Sequence, residues 1–154
     1  MDVATPELRH LCDLKVELAP IMELGDAPRG KRRIIPITGG TVTGERLNGT
    51  ILNLGADWQT ILADGTAELD TRYSMETHDG ALIDIRNFGF RHGPAAVIAA
   101  LARGEAVDPS RYYMRTHPRF ETGDERYAWL NRIICVGTGS RQADHVRITF
   151  FEVL

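Results

Sequence analysis

Short stretches in which apolar and polar residues alternate, cut by Gly, Asp-Gly and Asn-Gly, dominate this chain; that rhythm is how antiparallel strands are written. About nine such stretches can be marked. Leu14, Val16 and Leu18 alternate in the first, and Arg33 to Thr38 forms a second, in which Pro36 predicts an edge position or a bulge. Leu47 to Leu54, Asp57 to Ala63, Thr66 to Thr77 and Ala81 to Phe88 follow, joined by tight turns, so they are expected to lie side by side as a meander. Arg111 to His117, Asn131 to Gly137 and His145 to Leu154 complete the set. The segment Gly93 to Gly104 differs, with Pro94 placed for the first helical position, alanines through the middle and Gly past the end, which predicts one short helix. A further helical turn is expected over Asp124 to Leu130. A meander of this many strands with a single helix is most economically a closed barrel, because closure removes the exposed edges. Its longest stretch, Thr66 to Thr77, spans roughly 40 Å, enough to wrap a curved sheet.

Composition narrows the picture. The chain has 154 residues, 43% of them hydrophobic and 25% charged, which suits one folded domain over residues 1–154 with a core of its own. Its 18 basic and 21 acidic residues leave a net charge of −3, and Arg29-Gly-Lys-Arg-Arg33 is the one basic run, so a nucleic-acid partner is not expected. No apolar run is long enough for a membrane span, and the first ten residues lack the basic-then-apolar order of a secretory signal, so the cytoplasm is the expected compartment. Cys12 and Cys135 have apolar neighbours and no paired spacing, and read as reduced, buried thiols.

Hairpin geometry carries the candidate chemistry. A two-residue Asp64-Gly65 loop sets Asp57 opposite Arg72 and Gln59 opposite Asp70, with Trp58, Thr60 and Leu69 on the other face. In the next hairpin a three-residue His78-Asp79-Gly80 loop, with Gly80 left-handed, separates the faces best. It pairs Met75 with Ile83, Tyr73 with Ile85, Ser74 with Asp84 and Arg72 with Arg86. The outcome is one cluster: Asp57, Gln59, Asp70, Arg72, Asp84 and Arg86. Two readings stay open. The cluster is either a solvated outer face of weak salt bridges, or the lining of a hollow in which buried groups acquire shifted pKa values.

The segments Ile37-Thr-Gly-Gly40, Gly55-Ala-Asp-Trp-Gln59, Glu68-Leu-Asp-Thr-Arg-Tyr73, Asp79-Gly-Ala-Leu-Ile83, Tyr112-Tyr-Met-Arg-Thr116, Pro118-Arg-Phe-Glu-Thr-Gly123, Tyr127-Ala-Trp-Leu-Asn131 and Val136-Gly-Thr-Gly139 together resemble the DUF3237 (UPF0311) family. The resemblance spans most of the chain. It implies an all-β, lipocalin-like barrel with a central cavity, in a family named for lacking an assigned function. The positions that carry it include Asp57, Trp58, Asp70, Arg72, Tyr73, Tyr113, Arg115, Glu121, Trp129 and Asn131.

If Tyr113, Arg115 and Glu121 converge with Asp57 and Arg72, the cavity offers a carboxylate base, an anion-binding guanidinium and a phenolic proton donor. That predicts a cofactor-independent, metal-independent lyase or isomerase acting on a carbonyl or aromatic metabolite. Asp57, Arg72 and Tyr113 would be catalytic, and Trp58, Asp70, Tyr73, Arg115, Glu121, Trp129 and Asn131 would hold the substrate. The alternative is a non-catalytic barrel that binds a hydrophobic metabolite. No nucleophile elbow or phosphate loop occurs, and the five histidines are scattered, with His78 in a turn and His92 placed to cap the helix. The expected partners are a small molecule and a second copy of the chain in a homodimer.

Overall fold

The computed structural model describes all of residues 1–154. The alternating stretches form β1 (Leu8–Leu18), β2 (Met22–Ala27), β3 (Gly30–Thr43), β4 (Gly49–Ile61), β5 (Ala67–Thr77), β6 (Leu82–His92), β7 (Tyr113–Glu121), β8 (Cys135–Arg141) and β9 (His145–Val153). A short helix α1 (Ala95–Ala102) follows β6, and 3₁₀ segments occupy Pro109–Arg111 and Glu125–Arg132. Every neighbouring pair is antiparallel, in the order β1-β9-β8-β7-β6-β5-β4-β3-β2, and a β1–β3 pairing closes eight of the strands into a barrel. No helix is long and apolar enough to cross a membrane.

Closure depends on β3 changing partner along its length. Its first half pairs with β2 (Met22↔Ile34) and its second half with β1 (Val16↔Gly40). At Gly40 a Cβ would sit 1.9 Å from the Lys15 carbonyl oxygen, so the two backbones approach too closely for any side chain. The expected irregularity at Pro36 is present as a register shift between Pro36 and Gly40. The stretches read as 47–54 and 57–63 are one strand, β4, whose pairing with β5 shifts between Ile51 and Gly55, a bulge and not a break. The pattern gave no sign of β2 because nearly all of its residues are exposed, so it carries no one-sided apolar period. The strand expected over Asn131 to Gly137 begins instead at Cys135, because the 3₁₀ segment, started by Asp124 accepting the Arg126 N–H, runs on to Arg132. Pro94 is the residue before the first turn of α1, accepting from the Val97 and Ile98 N–H groups, and His92 stacks on Tyr113 instead of capping the helix.

Both central hairpins use three-residue loops. The His78-Asp79-Gly80 loop is as read, with Gly80 at φ 91° and the β5–β6 register pairing Tyr73 with Ile85 and Arg72 with Arg86. The other loop is Ala63-Asp64-Gly65 and not Asp64-Gly65. Leu62 N–H donates to the Thr66 carbonyl at 2.8 Å, and Gly65 takes the left-handed position at φ 85°. That one extra loop residue pairs Asp57 with Thr71 instead of Arg72. A slip of one residue moves every side chain to the opposite face, so the expected charge cluster is divided. Asp57 and Gln59 point into the barrel, while Asp70, Arg72, Asp84 and Arg86 lie on the outer wall.

Two apolar clusters fill the interior. The larger comprises 19 buried residues, among them Leu11, Val42, Met75, Ile83, Ile85, Phe120 and Phe150, and it packs one end of the barrel solid. The smaller joins Val97 and Leu101 of α1 to Ala67, Leu69, Val107, Tyr112 and Met114 at the other end. Cys12 and Cys135 are buried free thiols in the larger cluster, and burial pushes Cys135 up to about 11.

The solid end is tied down by Glu152, whose Oε2 accepts from Arg9 Nη2 at 2.6 Å and Arg46 Nη2 at 2.7 Å, Arg46 in turn lying over the Trp129 ring. The Arg9 hydrogen bond, with help from Arg46, holds this carboxyl below its usual range. Removing it leaves two guanidiniums unpaired but half in water, so Glu152→Ala is expected to cost about 2 kcal/mol in urea unfolding at neutral pH. A depressed carboxyl stabilises above its unfolded pKa and loses that contribution as pH falls, so the gap between variant and wild type narrows toward about pH 3.

Candidate functional site

Between the two clusters lies a narrow cavity of about 40 Å³, lined by residues from eight of the nine strands. Alternation puts Asp57 and Gln59 of β4, Leu69, Thr71 and Tyr73 of β5, Asn87 and Arg91 of β6, and Met114 and Thr116 of β7 on its wall. Arg141 of β8 and the apolar side chains Val16, Leu18, Ile35, Ile37, Val146 and Ile148 complete it. Ile35, Arg91 and Arg141 also line a wider opening bounded by Arg33, Glu23, Lys31 and the α1 residues Ile98, Leu101 and Ala102. The cavity therefore reaches the surface at the end that α1 covers.

Asp57 is fixed by a chain of hydrogen bonds. Arg33 Nε donates to Gln59 Oε1 at 2.8 Å, Gln59 Nε2 donates to Asp57 Oδ2 at 2.6 Å, and the Asp70 N–H donates to Asp57 Oδ1 at 3.0 Å. Burial nonetheless dominates. It pushes the Asp57 carboxyl above the ordinary carboxylate range, against the pull of hydrogen bonds from Gln59, Thr71 and Asp70 and the charge of Arg91. Arg91, only 7% exposed, is driven down to about 10, first by burial and then by the charges of Arg33 and Arg141. Arg33 and Arg141 are lowered too, with burial the largest cause in each.

The cavity also concentrates unsatisfied polar atoms. Tyr73 Oη, the Asn87 amide oxygen, Arg91 Nε, Thr116 Oγ1 and Arg141 Nη1 are buried without a hydrogen-bond partner, and all five residues line it. Buried polar atoms are nearly always paired, so a group of orphans around one space marks a surface shaped for something polar. The arrangement supplies a carboxyl biased toward holding its proton, guanidinium groups for an anion, and hydroxyls that donate.

Of the residues singled out from the sequence, the structure brings Asp57, Gln59 and Tyr73 together here and leaves the others elsewhere. Arg72 is on the outer wall, its side chain 56% exposed and 3.4 Å from Asp84. Tyr113 is 45% exposed, stacked on His92 at 4.8 Å with the Arg115 guanidinium over its ring, and neither lines the cavity. Trp58 and Asp70 border a shallow outer groove with Phe88 and Phe90, and Glu121 borders another beside Arg72. Trp129 packs at the solid end under Arg46. Asn131 bonds Thr122 through both its amide oxygen and its amide nitrogen at 2.9 Å, a brace between the 3₁₀ segment and the end of β7.

The residues that replace them, Thr71, Asn87, Arg91, Thr116 and Arg141, left one signal. In the β5–β6 register Asn87 and Arg91 fall on the face of Ile83 and Ile85, so two polar residues interrupt an apolar face. Ending that strand at Phe88 removed Arg91 from view. Arg141 had no such mark, because only barrel closure carries the end of β8 to Arg91. No three His, Cys, Asp or Glu side chains converge in the chain.

The same barrel occurs elsewhere. A UPF0311 protein of Rhodopseudomonas palustris, RPA1785, is 42% identical over 150 residues, covering 97% of this chain and 98% of its own length. Its crystal structure superposes with a TM-score of 0.93, covering 99% of this chain and 100% of the other. A β-barrel-like protein of Acinetobacter baumannii is 44% identical, with a TM-score of 0.88 and 99% of each chain covered. More distantly, the hydroalkoxylation enzyme phnH of Penicillium herquei is 26% identical over 133 residues, 86% of this chain and 74% of that protein. The profile of the family described as "Protein of unknown function (DUF3237)" matches residues 6–153, and with these relatives it establishes that the chain belongs to the DUF3237 family.

Proposed function

We propose that this chain is a cofactor-independent lyase or isomerase that performs acid–base chemistry on a carbonyl or aromatic metabolite inside the barrel. The observation that carries the reading is Asp57, enclosed, held at both oxygens and biased toward its protonated form, with Arg91 facing the same space. The distant relative's name supports the class, since hydroalkoxylation adds an O–H across a C=C bond without net oxidation or reduction. In such an addition the acid gives a proton to carbon, the hydroxyl oxygen bonds the neighbouring carbon, and the hydroxyl proton returns to the carboxylate.

Asp57 fills the acid and base role because its raised pKa brings it closer to neutrality, where proton transfer in both directions is efficient. Arg91 stabilises the oxyanion or enolate that forms when a carbonyl-conjugated carbon is attacked. Tyr73 Oη and Thr116 Oγ1 offer hydrogen bonds to the substrate oxygens, and Gln59 is a positioning residue, locked between Arg33 and Asp57.

The test is proton NMR in D2O on a panel of enolisable ketones and alkenyl phenols with the purified chain. Deuterium entering one carbon, or ring closure, faster than in buffer alone is the expected result. Saturable binding of panel members with no exchange at all would replace the reading with that of a non-catalytic binding barrel.

A further inference from the structure

We infer that the molecule taken into this cavity carries a full negative charge, a carboxylate or an ionised phenol, seated between Arg91 and Arg141, with its apolar body against Ile35, Leu69 and Ile148. The inference rests on the cavity being the functional site, as proposed above, and adds the chemical class of its ligand.

Charge balance is the first argument. The charges of Arg33 and Arg141 depress Arg91, and that of Arg33 depresses Arg141, yet none of the three takes part in any ion pair of the structure. The one carboxylate lining the cavity is Asp57, and its charge acts on all three, so a single carboxylate faces three guanidinium groups. Glu23 stands at the outer opening, where it acts on Arg33, and Asp144 acts on Arg141, an exposed carboxylate beside His145. Like charges held together out of water are costly unless a counter-charge joins them.

Hydrogen-bond geometry is the second. Arg91 is nine-tenths buried and leaves Nε unpartnered, and Arg141 leaves Nη1 unpartnered, at the junction of cavity and opening. Guanidinium N–H groups donate and never accept, so two of them aimed at one space call for an acceptor, and an anionic oxygen is the strongest. The wall beyond them is mainly apolar, which fits a ligand with one charged end.

Isosteres test this without a known substrate. Benzoate and benzamide, nearly identical in shape, are titrated into the wild-type chain by calorimetry. Benzoate is expected to bind at least tenfold more tightly, and Arg91→Met and Arg141→Met each to abolish most of that preference. Asp57→Asn is expected to keep it, whatever it does to turnover, so charge selection and catalysis fail separately. Equal affinity for the two probes, binding of neither, or a preference that survives both arginine changes overturns the inference, and the wild-type comparison decides even if a variant fails to fold.

Discussion

Asp57→Asn is expected to lower turnover by roughly 10²–10⁴-fold, the usual contribution of a positioned acid or base, while the barrel stays folded. Asparagine keeps the shape and can still accept the Asp70 N–H that now reaches Asp57 Oδ1 at 3.0 Å. What it loses is the exchangeable proton and the second acceptor. Gln59 Oε1 is already held by Arg33, so the Gln59 amide nitrogen would face another donor and must turn away. Stability gives a second readout with a definite sign. A carboxyl whose folded pKa is raised contributes stability that is fully present below its unfolded pKa and is lost as pH rises through the folded value. Wild type should therefore lose stability relative to Asp57→Asn as pH climbs from about 4 toward neutrality. Denaturation of both proteins across that range measures the difference, and parallel curves would mean that Asp57 keeps an ordinary pKa.

Phe150→Ala is expected to cost about 3–5 kcal/mol, a third or more of the stability of a typical domain. Its side chain is 0% exposed and meets Phe120 edge to face with centroids 5.8 Å apart. Gly137 sits against the same ring, where a Cβ would lie 3.0 Å from the ring edge, so the strand already gives way for this aromatic. Hydrogen bonds to both neighbouring strands hold β9 in place, which keeps the surroundings from collapsing into the hole. Urea unfolding should show a lower midpoint at unchanged slope and a melting temperature lower by roughly 10 °C. Phe90→Ala, on the outer wall at 49% exposure, is the control and should cost less than about 1 kcal/mol. A small loss at Phe150 would show that the solid end of the barrel repacks freely.

Some of this protein was written locally. Alternation along β5 and β6, turn glycines and the alanine-rich run of α1 specify an all-β meander with one helix, because side-chain period and backbone preference act over a few residues. The β5–β6 register was legible for the same reason, since only a left-handed glycine at position 80 separates its two faces. Asp57 and Tyr73 could be picked out as chemistry-bearing residues, although not the company they keep.

What only the tertiary structure decided was the pointing of the charges and the membership of the site. Two- and three-residue loops differ by one residue of backbone geometry around Asp64-Gly65, and that difference turns Arg72 outward while leaving Asp57 inside. Arg33, Arg91 and Arg141 are distant in sequence and sit on strands β3, β6 and β8. Nothing local marks them as neighbours, because their meeting follows from closing the barrel through β1 and β3, a pairing fixed by the whole sheet and not by any single hairpin.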